Sequence, residues 1–169
     1  LTEDLQKPPE ELADLAQTLL EEDEEKFAEI CAVGAILQAR EAGTAAPEGV
    51  EAAITFRSLG SPTKRDGYVL LGPLVDALQY LGAERAKPRF QARFDAEYYR
   101  TSPIAALTAF PEDDELFHRA VEVYEEEVGE RDDPNFSSTR TAANGFALVG
   151  PAALPRLEIA WEATDADVF

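Results

Sequence analysis

Apolar residues recur at helical spacing through the first forty positions of the chain. Leu12, Leu15, Leu19, Phe27, Ile30, Gly34 and Leu37 follow one another at intervals of three and four or their multiples, which predicts helix over residues 9–42. Pro8 and Pro9 suit the start of such a segment and Gly43 its end. The acid run from Glu21 to Glu25 interrupts the apolar stripe, so the segment reads as one helix or as two that meet near residue 22. Residues 32–37 are apolar on nearly every side, and the second half is therefore expected to be the more deeply buried.

The period then changes. Residues 52–59, with Ile54, Thr55 and Phe56, read as a strand, and residues 68–71 read as another; the turn-rich stretch between them would make a long-looped hairpin. Pro73 opens a short amphipathic helix through Leu74, Ala77, Leu78 and Leu81, stopped by Gly82. The clearest strand signal lies in residues 89–99, where Phe90, Ala92, Phe94, Ala96 and Tyr98 alternate with Gln91, Arg93, Asp95, Glu97 and Tyr99. Ser102 and Pro103 begin a helix through Ile104, Leu107 and Phe110, and Pro111 separates it from a second helix over residues 113–128, closed by Gly129. Residues 130–138 read as a polar loop, residues 139–149 are ambiguous around Asn144 and Gly145, and residues 157–161 read as a final strand. No internal repeat is visible. The pattern predicts one α+β domain over residues 1–169, with N-terminal helices and a helical pair in the C-terminal half packed on a small, mainly antiparallel sheet.

Charge adds a second layer. The 169 residues hold 34 acids and 15 bases, a net charge of -19, and the excess is confined to the flanks. Residues 1–50 carry 13 acids against 3 bases and residues 101–169 carry 15 against 4. Residues 51–100 carry 6 acids and 8 bases: Arg57, Lys64, Arg65, Arg85, Lys87, Arg89, Arg93 and Arg100. The overall field repels bare nucleic acid and anionic membrane, while a local cationic site can survive inside it. Four Lys against eleven Arg, abundant Ala and no Met fit either codon bias or a surface adapted to high salt, and an excess of Glu over Asp leaves both readings open.

The length and an apolar content of 45% suffice for one core, and fifteen aromatics argue against disorder. The lone Cys31 cannot form an intramolecular disulfide, which fits a reducing cytoplasm. The chain opens without a charged and apolar leader, and no uncharged apolar run approaches the ~20 residues of a membrane helix; a soluble protein with a trimmed start is expected. Asn135-Phe136-Ser137 matches a glycosylation acceptor but reads as a loop.

Candidate chemistry is sparse. His118 is the only histidine, Cys31 sits in an apolar stretch of helix, and nothing places the two together, so neither reads as a nucleophile or base. Glu115 and His118 have the Glu-x-x-His spacing of di-metal helical bundles, but such sites need two of these motifs and two further carboxylates. His118 beside Glu122 reads instead as a solvated pair one helical turn apart, and no metal or other cofactor is expected. The acids from Glu112 to Glu115 suit a helix start, whereas those from Glu125 to Glu127 lie near a helix end, where the dipole opposes them.

The basic centre offers the candidate binding residues. If residues 52–59 and 89–99 shared one antiparallel sheet, Arg57 and Arg93 would share its wet face, with Lys64 and Arg65 in the adjacent loop and Tyr99 nearby. Such a cluster suits a carboxylate or phosphate, because Arg forks bind these bidentately. Pairing of the same arginines with the acidic flanks is the plainer expectation. The alternating aromatics resemble base-stacking RNA-binding sheets, but without that signature's glycines they read as core. No motif identifies a reaction. The first functional expectation is an acidic, non-enzymatic binding or regulatory protein that engages another macromolecule, a protein partner, with a nucleic-acid mimic as one form of it. The alternative is a small enzyme or ligand-binding domain that holds an anionic small molecule at the basic centre. Direct nucleic-acid and membrane partners are not expected.

Overall fold

The computed structural model describes residues 6–57, 71–95 and 102–129, and these fall into two compact units that divide between Asp95 and Ala96. The first unit holds α1 (Pro9–Glu21), α2 (Glu25–Ala42), a 3-10 turn (Val50–Ala53), α3 (Leu71–Leu81) and α4 (Ala83–Phe94). The second holds α5 (Ser102–Ala109) and α6 (Asp114–Gly129). No strand occurs among the described residues, so the expected α+β architecture with an antiparallel sheet is corrected to a helical one.

Residues 9–42 form two helices, and the break lies at the acid run. α1 starts at Pro9, whose missing N–H costs nothing in the first turn, and Glu10 and Glu11 complement the positive end of its dipole. At its other end the Glu24 amide reaches back to the Leu19 carbonyl at 2.9 Å, which requires the left-handed conformation that Asp23 adopts at φ 61°. Gly43 does the same for α2 at φ 67°, with the Thr44 amide on the Ala39 carbonyl at 2.9 Å. Small residues Ala28, Ala32, Ala35 and Ala39 fill the buried face of α2 together with Cys31 and Ile36, and they let α1 pack closely through Leu12 and Ala16. The buried half of α2 is thus mainly alanine, with Val33, Gly34 and Leu37 only half-buried.

α3 buries Leu74, Val75, Ala77, Leu78 and Leu81 at helical spacing. Gly82 turns the chain at φ 84° and ψ 156°, a conformation that side chains disfavour, and α4 begins directly after it. Residues 89–94, expected as the start of a strand, belong to α4. The alternation of Phe90, Ala92 and Phe94 coincided with a four-residue period through Ala86, Phe90 and Phe94, which are the buried positions, whereas Ala92 is exposed. Pro88 lies inside this helix despite its missing N–H.

The other expected strand fails for a different reason. Residues 50–53 form the 3-10 turn, and residues 54–57 are buried up to Phe56 but pair with no strand among the described residues. The Ile54 amide bonds back to the Glu51 carbonyl at 3.1 Å, and the Ile54 carbonyl and Phe56 amide are taken by side chains from α4 and α2, described below. The second strand of the expected hairpin and residues 95–101, 139–149 and 157–161 lie wholly or largely outside the described residues, although Leu71 itself begins α3.

In the second unit α5 and α6 pack through Ala105, Ala106, Leu107 and Ala109 against Leu116, Phe117, Ala120 and Val123. Asp113 caps α6, its Oδ1 accepting the Leu116 amide at 3.0 Å. The acids Glu125, Glu126 and Glu127 fall in the last turns of α6, which hold no basic residue.

Candidate functional site

Residues 44–57 cross the first unit as a strap, and polar side chains from four helices hold it. Gln17 of α1 donates to the Gly49 carbonyl at 2.8 Å, and the Tyr80 hydroxyl of α3 donates to the Thr44 carbonyl at 2.6 Å. From α4, Arg85 donates to the Ala46 carbonyl at 3.2 Å, the Pro47 carbonyl at 2.7 Å and Glu51 Oε2 at 2.7 Å. Arg89, one turn on, places Nε and Nη2 each 3.2 Å from the Ile54 carbonyl. From α2, the Glu29 carboxylate accepts the Phe56 amide.

Glu29 is the one charged side chain among the described residues at 0% exposure. Burying a carboxylate is costly unless it is hydrogen-bonded, and the Phe56 N–H supplies such a bond. That amide faces Glu29 from a residue at φ 59°, a left-handed conformation unusual for an aromatic side chain. The Phe56 ring packs against Phe90, with centroids 5.1 Å apart, and Phe90 stacks on Phe94 at 6.0 Å. The ring contacts and the carboxylate together hold Phe56 in this conformation. Beside it the Thr55 hydroxyl is buried, the residue being 2% exposed, and has no hydrogen-bond partner.

Charges in this cluster shape one another. Burial alone would raise the Glu51 carboxyl, but the Arg85 hydrogen bond, its own backbone and the positive charges of Arg85 and Arg89 hold it below its ordinary value. Arg89 is shifted down by burial first and by the like charge of Arg93 second, while Glu29 and Glu51 oppose the shift. It stays charged at neutral pH.

The residues expected to bind an anion are placed as follows. Arg57 is exposed and its Nε lies 2.6 Å from Glu25 Oε2. Arg93 is half-buried in the last turn of α4. Lys64, Arg65 and Tyr99 lie outside the described residues. Arg93 belongs to helix α4 and Arg57 to no strand, so the two do not share a strand face. Sequence reasoning missed Glu29, Arg85 and Arg89 as a set, although two signals were present: a charge inside the buried stripe of α2, and three arginines four residues apart.

The other candidate surface is the acidic turn between α1 and α2. Glu21, Glu22, Asp23 and Glu24 are exposed there, and Glu10, Glu11 and Asp14 are exposed along α1. Phe27, in the first turn of α2, is 41% exposed at the edge of this run. Several cations of the first unit are meanwhile engaged inside it, Arg40 with Asp76 at 3.5 Å, Arg85 with Glu51, and Lys87 with Glu84 at 4.0 Å.

In the second unit His118 is exposed and its Nδ1 lies 2.7 Å from the Asp114 carbonyl. Glu122 pairs with Arg119 at 3.2 Å instead of with His118. Cys31 is buried. Among the described residues no three His, Cys, Asp or Glu side chains gather to hold a metal ion, and no helix is long and apolar enough to cross a membrane. Set against known proteins, the chain matches no family, no curated relative and no solved structure.

Proposed function

We propose that the protein is an acidic, non-enzymatic binding protein whose N-terminal helical hairpin engages a basic macromolecule. The observation that carries this reading is the continuity of exposed carboxylates with an exposed aromatic: Glu21, Glu22, Asp23 and Glu24 in the turn, and Phe27 beside them. Carboxylates attract and orient a cationic surface at long range, while an aromatic side chain supplies the apolar contact that slows dissociation. Asp14 lies four residues beyond Glu10 on α1, about 6 Å along the helix axis. That spacing is on the order of two 3.4 Å steps of a nucleic-acid strand, which supports the more specific form of the proposal, a mimic occupying the basic groove of a nucleic-acid-binding protein.

The test is competition. The full chain should capture from its own lysate a protein that binds nucleic acid, and added duplex DNA or RNA should displace it. Reversing Glu21, Glu22 and Glu24 to Lys should abolish capture, and Phe27→Ala should weaken it. Capture that survives charge reversal, or that nucleic acid leaves untouched, would sink the mimic.

A further inference from the structure

We infer that the outer face of α2 is a docking seam for a basic amphipathic helix of a partner protein. The inference rests on the role proposed for the acidic turn and names the form of the basic partner.

The seam is the apolar stripe that the folded first unit does not use for its core. Phe27, Ile30, Gly34 and Leu37 follow at intervals of three, four and three, so they run along one side of α2 for about 15 Å. The buried positions Ala28, Ala32, Ala35 and Ala39 fall on the opposite side of the same helix. Glu29, which reaches the strap, and Arg40, which meets Asp76 of α3, lie on a flank between the two. Phe27 is 41% exposed, and Ile30, Gly34 and Leu37 are half-buried.

Spacing sets the shape of the occupant. Alternating intervals of three and four form the repeat that a second helix meets with knobs in holes, whereas a bound strand would match a period of two. Charge sets its sign. Glu21, Glu22, Asp23 and Glu24 are exposed at the Phe27 end of the seam, and Glu41 is exposed at the Leu37 end. None of these five side chains forms an ion pair among the described residues, although other acids of the unit do: Glu25 with Arg57, Glu51 with Arg85 and Asp76 with Arg40. α2 itself carries two cations, Lys26 and Arg40, and Arg40 is engaged with Asp76.

These charges argue against a second copy of the chain. Laid antiparallel along the seam, a copy brings its Glu41 against the acid run; laid parallel, it brings two acid runs together. Either arrangement sets like charges side by side. A basic amphipathic helix meets both demands, its apolar stripe covering the seam and its Lys or Arg side chains pairing with the carboxylates at the two ends.

The experiment uses the full chain and a synthetic helical peptide of about 18 residues, long enough to span the seam, with Leu at the a and d positions and Lys flanking them. One control peptide has the same composition scrambled so that no apolar stripe forms; the other replaces every Lys by Glu. Calorimetric titration at about 0.1 M salt, with the peptide monomeric, should give one peptide bound per chain with a Kd of about 10 μM or tighter. The scrambled peptide should bind at least about tenfold more weakly, and the acidic one not at all. Amide resonances of Phe27, Ile30, Gly34 and Leu37 should shift on binding, while those of Val50 and Ala53 in the strap stay in place. Phe27→Ala should weaken binding about tenfold, and joint replacement of Glu22, Glu24 and Glu41 by Gln should weaken it and flatten its salt dependence. Glu84→Gln, on α4, should leave it unchanged. Equal binding of the scrambled peptide overturns the helix inference while leaving the acidic turn as a binding surface, and failure of both basic peptides to bind removes the two together. A dimer in sedimentation that Phe27→Ala dissociates makes the occupant a second copy and overturns the inference. A wild type that binds no peptide and is destabilised by Phe27→Ala overturns it in favour of a segment of the chain itself.

Discussion

Removing the Glu29 side chain should cost more than any other single polar change in the first unit. Its carboxylate is fully buried and accepts the Phe56 amide. Glu29→Ala deletes a hydrogen bond to a charged group, worth about 1.5–3 kcal/mol, and leaves a buried N–H with no acceptor. The vacated volume adds a cavity term, and Arg89 loses one of the two carboxylates that favour its charge. We expect a loss of about 3 kcal/mol or more. Glu29→Gln keeps an acceptor oxygen for the same amide and should cost only about 1 kcal/mol, because the lost charge is partly offset by a smaller desolvation penalty. The apolar replacement Glu29→Leu fills the volume but supplies no acceptor, so it should fall between the two.

Urea unfolding followed by helical circular dichroism gives the three values, with unchanged slopes as the check that the unfolded state is not altered. Hydrogen exchange at the Phe56 amide provides a local readout: protection should collapse in Glu29→Ala and largely survive in Glu29→Gln. A Glu29→Leu protein more stable than the wild type would refute the reasoning. It would mean that the carboxylate is a net cost of burial and that the strap is held by its aromatic contacts alone.

Two further outcomes follow from the same geometry. Because Glu51 has its carboxyl held below the ordinary value near 4.5, its contribution is fully present above that pH and lost as the pH falls through the lowered value. The stability gap between wild type and Glu51→Gln should therefore be about 1 kcal/mol at pH 7 and close in the acid limb of a pH-dependent melting series; a gap that widens toward acid contradicts the assignment. Asp23 sits at φ 61° in the turn between α1 and α2. Asp23→Gly should raise stability by about 0.5–1 kcal/mol, while Asp23→Val should lower it, and thermal melts showing the opposite order would remove the left-handed turn from the account.

The helices were legible where one period ruled alone. The helical extent of residues 9–42, the break at the acid run, the Gly43 and Gly82 stops, and the Pro111 division between α5 and α6 all follow from local rules that the folded chain obeys, although the face that α2 buries is the one through Ala28, Ala32, Ala35 and Ala39 and not the expected stripe, whose Phe27 is exposed. α4 was misread because Phe90, Ala92 and Phe94 satisfy a period of two while Ala86, Phe90 and Phe94 satisfy a period of four. Including Ala86 decides between them. The segment around Ile54 to Phe56 was misread for another reason. Ile, Thr and Phe favour a buried extended chain, and a buried chain must have its backbone groups bonded. A sheet is one way to meet that demand. Here Glu29 and Arg89 meet it instead, and no local pattern reveals side chains that act across 27 and 35 positions.

That substitution links the fold to its charge. In a sheet the Ile54 carbonyl and the Phe56 amide would have been met by neutral backbone, and residues 29, 85 and 89 could have been apolar. In this chain they are met by ions, which places an acid inside α2 and a row of arginines on α4. The Arg85 and Glu29 charges are consumed in doing so, together with Glu51. The acids of the first turn of α1 and of the hairpin tip have no such duty, because the backbone around them is capped by its own turns and they are exposed. Neutralising inner charges such as Glu29 should therefore change stability, whereas neutralising Glu21, Glu22 and Glu24 should leave the helices intact and change only what the surface attracts. This separation makes the acidic turn a surface on which binding can be tested independently of folding.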